Sequence, residues 1–150
     1  YTLWHTLSLH DALPIYTKIL TNWNGLMIAA FAKAALVDNN IKYGKTYKKK
    51  AEQAVNYIEN HLMKEITPIM NNEHKEKNSK TLIHETNTKK SFSDDYAFFI
   101  FALIHLYFAT SEVKYLKMAI KYQDQMDILF WDEDNGGYFY TPKNDDELFY

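Results

Sequence analysis

The 150-residue chain contains no cysteine, which excludes disulfides, thiolate nucleophiles and cysteine-ligated metal sites within it. Its 17 basic and 19 acidic residues give a net charge of −2, so the sequence does not predict binding to nucleic acid or to an anionic membrane surface. No apolar run reaches the about 20 residues needed to span a bilayer. Together with the lack of cysteine, this favours a cytoplasmic location.

Several motifs are also missing. The sequence has no HExxH, no glycine-rich phosphate loop and no His and acidic residues at metal-ligand spacing. It therefore predicts no metal and no cofactor. What it does contain is 47% hydrophobic and 16% aromatic residues, which is enough for the packed core of one domain.

The start of the chain differs in character from the remainder of the sequence. Residues 6–15 match the in-frame translation of a widely used sequencing-adapter oligonucleotide, and the chain does not begin with methionine. We interpret residues 1–15 as a non-native, adapter-derived segment and exclude them from functional reasoning. We expect residues 16–150 to be part of a single domain that is truncated at both ends.

Residues 91–110 predict a helix that is apolar on nearly every side. Ser93 is a suitable N-cap, and Asp94 and Asp95 fall in the first turn, where negative charge complements the helix dipole. His105 is the only strongly polar side chain in the apolar run from Tyr96 to Ala109, and we expect it to be a hydrogen-bonded core histidine in preference to a catalytic base. Such a helix must be covered by other parts of the protein.

A second apolar helix is predicted at residues 21–37, where Lys33 is the only charge over the last three turns. Each apolar helix is followed by an amphipathic one, at about residues 45–64 and 111–130, whose apolar side chains form one stripe. The order along the chain is therefore inner, outer, inner, outer.

The two helix pairs form an internal repeat. The inner helices match at an offset of 72 residues and the outer helices at an offset of 68. Because each hairpin returns the chain, both inner helices begin at the same end, and we expect residues 22–24 and 94–96 to share one mouth. Repeated helical hairpins with inner and outer layers predict an all-α fold, a partial α/α toroid of two hairpins. Four of about twelve toroid helices would leave an apolar flank open.

The connections carry short strand-like pieces. Residues 68–70 and 81–84 predict a β-hairpin over the opening. Residues 131–137 predict a turn, followed by a strand at residues 138–140.

Three segments resemble, in order and spacing, the thioredoxin-domain-containing family related to spermatogenesis-associated protein twenty. They are KILTNWNGLMIAA from Lys18, DDYAFFI from Asp94 and FWDEDNGGYF from Phe130. The resemblance implies a thioredoxin-like domain, absent here, followed by a six-hairpin toroid similar to N-acylglucosamine 2-epimerases and six-hairpin glycosidases. The family usually has an arginine- and glycine-containing segment before the acidic pair, whereas this chain has TLIHETNTKKS from Thr81.

The acidic pair is the first candidate for catalysis. Asp94 and Asp95 point about 100° apart on one helical turn, so they do not form a catalytic dyad by themselves. One of them could face a cavity, with Asp132 or a residue of the missing hairpins as the second carboxylate about 5 to 9 Å away, as glycoside hydrolysis requires. The alternative is that both carboxylates only cap the helix.

Six further residues are candidates for substrate contact. Trp23 could stack on a sugar ring, although core packing explains it equally well, and Asn24 could bind a hydroxyl. His84 is the better candidate for a base, and Trp131 is either a carbohydrate platform or the anchor of a turn. The full set is Trp23, Asn24, His84, Tyr96, Trp131 and Asp132.

Two functions remain open at this point. The first is binding or turnover of a carbohydrate-like small molecule, by isomerase or glycosidase chemistry. The second is a non-catalytic scaffold that supports the thioredoxin-like domain.

Overall fold

The structure is a computed structural model that describes residues 17–38, 43–65 and 80–143. Within these ranges the chain is mostly helical, with four helices and one small two-stranded sheet. The elements are α1 (Thr21–Val37), α2 (Gly44–His61), β1 (Met63–Glu65), β2 (Lys80–Leu82), α3 (Ser93–Thr110) and α4 (Val113–Phe130). The predicted order of two apolar helices, each followed by an amphipathic helix, is confirmed.

The helix bounds agree closely with the prediction, with corrections at the end of α2, which stops at His61, and at the start of α3. Ser93 is not the N-cap but the first helical residue, and the extended Phe92 occupies the N-cap position. The N–H of Phe92 donates to Oδ2 of Asp95 over 3.0 Å. The carboxylate of Asp95 therefore caps the N-cap residue's own N–H, which is a different contact from the one expected of the Ser93 side chain.

Helix α3 is the centre of the packing. It contacts both α1 and α4, while α2 packs against α1. The approach of α1 to α3 is close at Gly25, where a Cβ atom would lie 2.7 Å from the carbonyl carbon of Phe98. Only glycine fits at that distance, so Gly25 determines how near the two inner helices can lie.

The expectation that the apolar helix at residues 91–110 is covered on all sides is wrong within the described residues, and α1 has an exposed side as well. Trp23 is 64% exposed and Met27 is 52% exposed on α1, and Phe101 and Phe108 are exposed on α3. Among the described elements, α2 packs against α1 and α4 packs against α3, and neither covers these positions. The predicted open apolar flank is present.

The small sheet pairs β1 with β2 in antiparallel register, with Met63 opposite Leu82. The strand expected at residues 81–84 is confirmed over part of its length, but its partner is residues 63–65, of which 63 and 64 were predicted as the end of a helix. The other predicted partner, residues 68–70, lies outside the described residues, as do residues 1–15.

The chain after α4 makes the predicted turn but not the predicted strand. Gly136 and Gly137 have φ values of 70° and 137°, which favour glycine. Instead of a strand at residues 138–140, a single bridge joins Trp131 to Tyr138. The carbonyl of Tyr140 then accepts a hydrogen bond from the N–H of Ser93.

Among residues 17–38, 43–65 and 80–143, no helix combines the length and the apolar character needed to cross a membrane.

Candidate functional site

The first turns of α1 and α3 meet, as the repeat predicted. The backbone N–H of Asn22 donates to Oδ1 of Asp95 over 3.2 Å. The side-chain amide of Asn22 donates to Oδ2 of Asp94 over 2.8 Å. Asn22 therefore contacts both carboxylates, and we call the region where these two helix ends meet the mouth.

The loop after β2 is attached to the same place by its backbone. The hydroxyl of Thr21 donates to the carbonyl of Ile83 over 2.5 Å, and the N–H of Thr21 donates to the carbonyl of His84 over 2.9 Å. The N–H of His84 in turn donates to the carbonyl of Lys90. These bonds satisfy backbone groups at the start of α1 and hold His84 beside the mouth.

His84 and Asp95 form the most distinctive pair in the site. Nδ1 of His84 lies 2.9 Å from Oδ1 of Asp95, whose side chain is fully buried, while the His84 side chain is 21% exposed. Burial raises the pKa of Asp95, and the contacts with His84 and the Phe92 N–H oppose that rise. A carboxylate at Nδ1 favours the tautomer with its proton on Nδ1 and leaves Nε2 as an acceptor.

Asp94 has one oxygen that is not used. Oδ2 accepts from Asn22, whereas Oδ1 is buried and has no hydrogen-bond partner within the described part of the chain. A buried acceptor without a donor is costly, so Oδ1 has the capacity to accept one further hydrogen bond.

Two aromatic residues that were not predicted as site residues lie at the mouth. The rings of Phe92 and Tyr140 stack with centroids 4.9 Å apart, and His84 contacts Phe92 edge-on at 5.2 Å. Burial and the nearby carboxylates of Asp94 and Asp95 raise the pKa of Tyr140. No sequence signal pointed to Tyr140, because its position depends on how the chain leaves α4.

The predicted contacts on α1 have local explanations. Trp23 projects outward and is 64% exposed. The side-chain amide of Asn24 donates to the carbonyl of Leu20 over 2.8 Å, so it already has a partner in its own helix. Neither side chain shares a hydrogen bond with the acidic pair.

Tyr96 lies in the core, and its prediction as a substrate contact is corrected by its burial. The side chain is fully buried, and its hydroxyl contacts the hydroxyl of Thr81 and accepts from the N–H of Leu82. Its ring packs 5.5 Å from that of Phe130. The helical step of about 100° from Asp95 turns Tyr96 toward α4 and β2 instead of the mouth.

The carboxylate of Asp132 forms hydrogen bonds within its own turn. It accepts from the N–H groups of Asp134 and Asn135 at 3.0 and 3.2 Å and from the Asn135 side chain at 3.1 Å. The bond from Asn135 contributes most to lowering the pKa of Asp132. The prediction that Asp132 pairs with Asp94 or Asp95 across a substrate has no support in this geometry.

Trp131 lies at an open pocket of about 430 Å³. The lining contains none of the mouth residues, so the structure does not join Trp131 and Asp132 to His84 in one cavity. Trp131 also contacts Tyr138 edge-on at 5.1 Å, which favours its role as the anchor of the turn. The pocket is lined by Trp131, Asp132, Glu133, Asp134, Phe139, Thr141, Pro142 and Lys143.

His105 is not the buried core histidine that was expected. It is half-buried on the open side of α3, with its ring between those of Phe101 and Phe108. As for metals, no group of three or more His, Cys, Asp or Glu residues in the described ranges could hold an ion.

Comparison with known proteins identifies relatives of this chain. No protein-family model matches it. It is 31% identical over 126 residues, 82% of its length, to human spermatogenesis-associated protein 20. The chain is homologous to spermatogenesis-associated protein 20. The rat spermatogenesis-associated protein 20 is 32% identical over 125 residues, and an uncharacterised protein of Caenorhabditis elegans is 30% identical over 148 residues.

The chain spans only a small part of these relatives. It covers 15% of the length of the human and rat spermatogenesis-associated protein 20 and 19% of the Caenorhabditis elegans protein.

Proposed function

We propose that the mouth binds a carbohydrate-like small molecule and that His84 transfers a proton to or from it. The observation that carries this proposal is the 2.9 Å contact between Nδ1 of the partly exposed His84 and the fully buried carboxylate of Asp95. A buried carboxylate that holds an imidazole in one tautomer is a recurring arrangement for a general base.

The roles differ from those expected of two catalytic carboxylates. Asp95 acts through His84 and is a positioning residue, because its oxygens accept from His84, Asn22 and Phe92. Oδ1 of Asp94 is the remaining acceptor for a ligand hydroxyl. The exposed ring of Tyr140 offers an apolar surface for a sugar ring.

One base without a second free carboxylate favours isomerase chemistry over hydrolysis. Removing a proton from carbon beside a carbonyl needs one well-placed acceptor. Glycoside hydrolysis needs two carboxylates across the bond, and Asp132 is bound to its own turn. We therefore propose an aldose or ketose, in its open-chain carbonyl form, as the class of substrate.

We also propose that the two hairpins are consecutive units of an α/α toroid. At the repeat offset of 72, three exposed positions of α1 correspond to three fully buried positions of α3. A stacked repeat leaves such an uncovered flank on its end unit, and a further hairpin would cover it. The pairs are Trp23 and Asp95, Met27 and Phe99, and Ala30 and Ala102.

The second candidate is a non-catalytic scaffold that supports a thioredoxin-like domain in the cytoplasm. The observation that favours it is that Asp95 accepts from two backbone N–H groups, of Asn22 and Phe92, and so has a sufficient structural role. In this case His84 only completes the hydrogen bonding of a helix start.

The test uses the 150-residue chain and a panel of neutral monosaccharides in deuterated water. We expect exchange of the hydrogen beside the carbonyl of at least one sugar, and loss of that exchange in His84→Gln. His61→Gln is the matched control, because His61 lies on the exposed end of α2 and contacts only its own helix among the described bonds. If no sugar binds or exchanges, while Asp95→Asn still destabilises the fold, the scaffold is supported instead.

A further inference from the structure

Each inner helix has one conspicuous basic residue, and both occupy the same repeat position. Lys33 is the only charge in the last three turns of α1, and His105 is the only strongly polar side chain in the apolar run of α3. The offset of 72 that aligns Thr21 with Ser93 at the helix starts also aligns Lys33 with His105.

The structure brings these two residues to one surface. Nζ of Lys33 lies 4.9 Å from the ring centroid of Phe101, and the His105 ring contacts the same Phe101 ring edge-on at 4.4 Å. Burial and the charge of Lys33 together lower the pKa of His105. Phe101 and Phe108, both exposed, frame the pair, which we call the basic face.

The basic face has no acidic counterpart in the described residues. In the ranges 17–38, 43–65 and 80–143, no carboxylate lies within 4.0 Å of Lys33. The charge that affects the pKa of His105 is another cation, Lys33 itself. Two basic groups that repel each other on an aromatic surface are stabilised by an anion placed between them.

We propose that Lys33 and His105 bind an oxyanion, the phosphate or carboxylate group of a small molecule. Lys33 supplies a permanent charge, and protonated His105 supplies a directed N–H donor. The exposed rings of Phe101 and Phe108 contact the apolar part of the same ligand. The alternative is a solvated lysine whose stem lies over an aromatic ring.

This site is separate from the mouth. His105 is ten residues beyond Asp95 on α3, which corresponds to about 15 Å of helix rise. A monosaccharide does not span that distance, so the basic face would bind a second ligand or the acidic end of a long one. The inference therefore does not depend on proton transfer by His84.

The experiment follows the imidazole resonances of His105 by NMR in the 150-residue chain at constant ionic strength. Inorganic phosphate is the first probe and glucuronate the second. We expect saturable shifts at His105 with at least one of them. The pH midpoint of His105 should rise in the saturated sample, because a bound anion favours the imidazolium. Phosphate alone producing the shift identifies a phosphate site, and glucuronate alone identifies a carboxylate site.

Variants decide whether the basic face is responsible. Lys33→Gln should weaken anion binding about tenfold or more, because one charge-assisted contact is lost. Lys117→Gln, an exposed lysine on α4, should leave the affinity unchanged. Equal affinity in Lys33→Gln, equal weakening by Lys117→Gln, or no saturable shift with either anion would overturn the proposal.

A neutral sugar separates this inference from the proposed function. Resonances of His84 should respond to a neutral monosaccharide equally in the original chain and in Lys33→Gln. If Lys33→Gln loses anion binding but still binds the sugar, the anion binds at the basic face. If the chain binds the anion but not the sugar, only the proposed function is rejected.

Discussion

The backbone N–H of Asn22 donates to Oδ1 of Asp95 over 3.2 Å, so a carboxylate in the first turn of α3 satisfies an N–H at the start of α1. The same carboxylate also accepts from the N–H of Phe92 and contacts His84. One buried side chain thus joins both inner helices and the loop that carries His84.

Replacing Asp95 by alanine should lower the free energy of unfolding by about 3 kcal/mol, because it leaves buried N–H groups without an acceptor. Urea unfolding of the two chains measures this. Asp124→Asn, an exposed carboxylate on α4, is the control and should change the value by less than about 0.5 kcal/mol. Equal effects of the two substitutions would show that the hydrogen bonds of Asp95 to α1 and to the His84 loop do not stabilise the fold.

The stability should also depend on pH through Asp95. Burial raises the pKa of this carboxyl above its usual 3.8. A raised pKa means that the folded chain favours the protonated form, so this contribution is complete below the unfolded value and is lost as pH rises through the folded one. The stability of the original chain relative to Asp95→Asn should therefore fall with rising pH above about 4. Urea midpoints of both chains across this range measure the difference. If the original chain instead gained stability relative to Asp95→Asn as the pH rises, the pKa of Asp95 would be lowered in the folded chain.

Gly25→Ala should destabilise the chain although alanine favours helices. The added Cβ would lie 2.7 and 2.8 Å from the carbonyl carbon and oxygen of Phe98. These are backbone atoms, so the helices must separate, at a cost of about 1 to 3 kcal/mol. Thermal and urea unfolding measure the change. Ala30→Val enlarges an exposed position of the same helix and should cost less than about 1 kcal/mol. A stabilised Gly25→Ala chain would contradict the close approach.

Tyr122→Phe should weaken the contact between α2 and α4. The fully buried Tyr122 donates its hydroxyl hydrogen bond to Oε1 of Glu59, and burial together with this carboxylate raises the pKa of Tyr122. Loss of the bond should lower the free energy of unfolding by about 1 to 2 kcal/mol. Tyr138→Phe removes an exposed hydroxyl that donates to Asp127, and urea unfolding should show a smaller loss. Equal losses would indicate that the buried bond contributes nothing extra.

The sequence was sufficient to predict the helices and the meeting of their first turns at the mouth. Apolar patterns of four or five turns located α1 and α3, and the offset of 72 between Asn22 and Asp94 predicted that their first turns share one end. These signals extend over many residues, and they do not depend on the rotation of any single helix.

The individual side-chain contacts within the mouth were harder to predict from the sequence. Tyr96 was expected to line the mouth, but the rotation of α3 against its neighbours turns this side chain into the core. The pairing of His84 with Asp95 depends on the register of β2 with β1, and β1 itself was not predicted. Tyr140 reaches the mouth in a segment where a strand was predicted and a single bridge is present.

The most direct test of the mouth is the tautomer of His84. Long-range ¹H–¹⁵N correlation spectra of the ¹⁵N-histidine-labelled chain, recorded near neutral pH, report which ring nitrogen carries the proton. The contact with Asp95 predicts the proton on Nδ1 in the original chain and loss of that preference in Asp95→Asn. A proton on Nε2 in the original chain, unchanged in Asp95→Asn, would contradict the pairing of His84 with Asp95 and the proton transfer proposed from it.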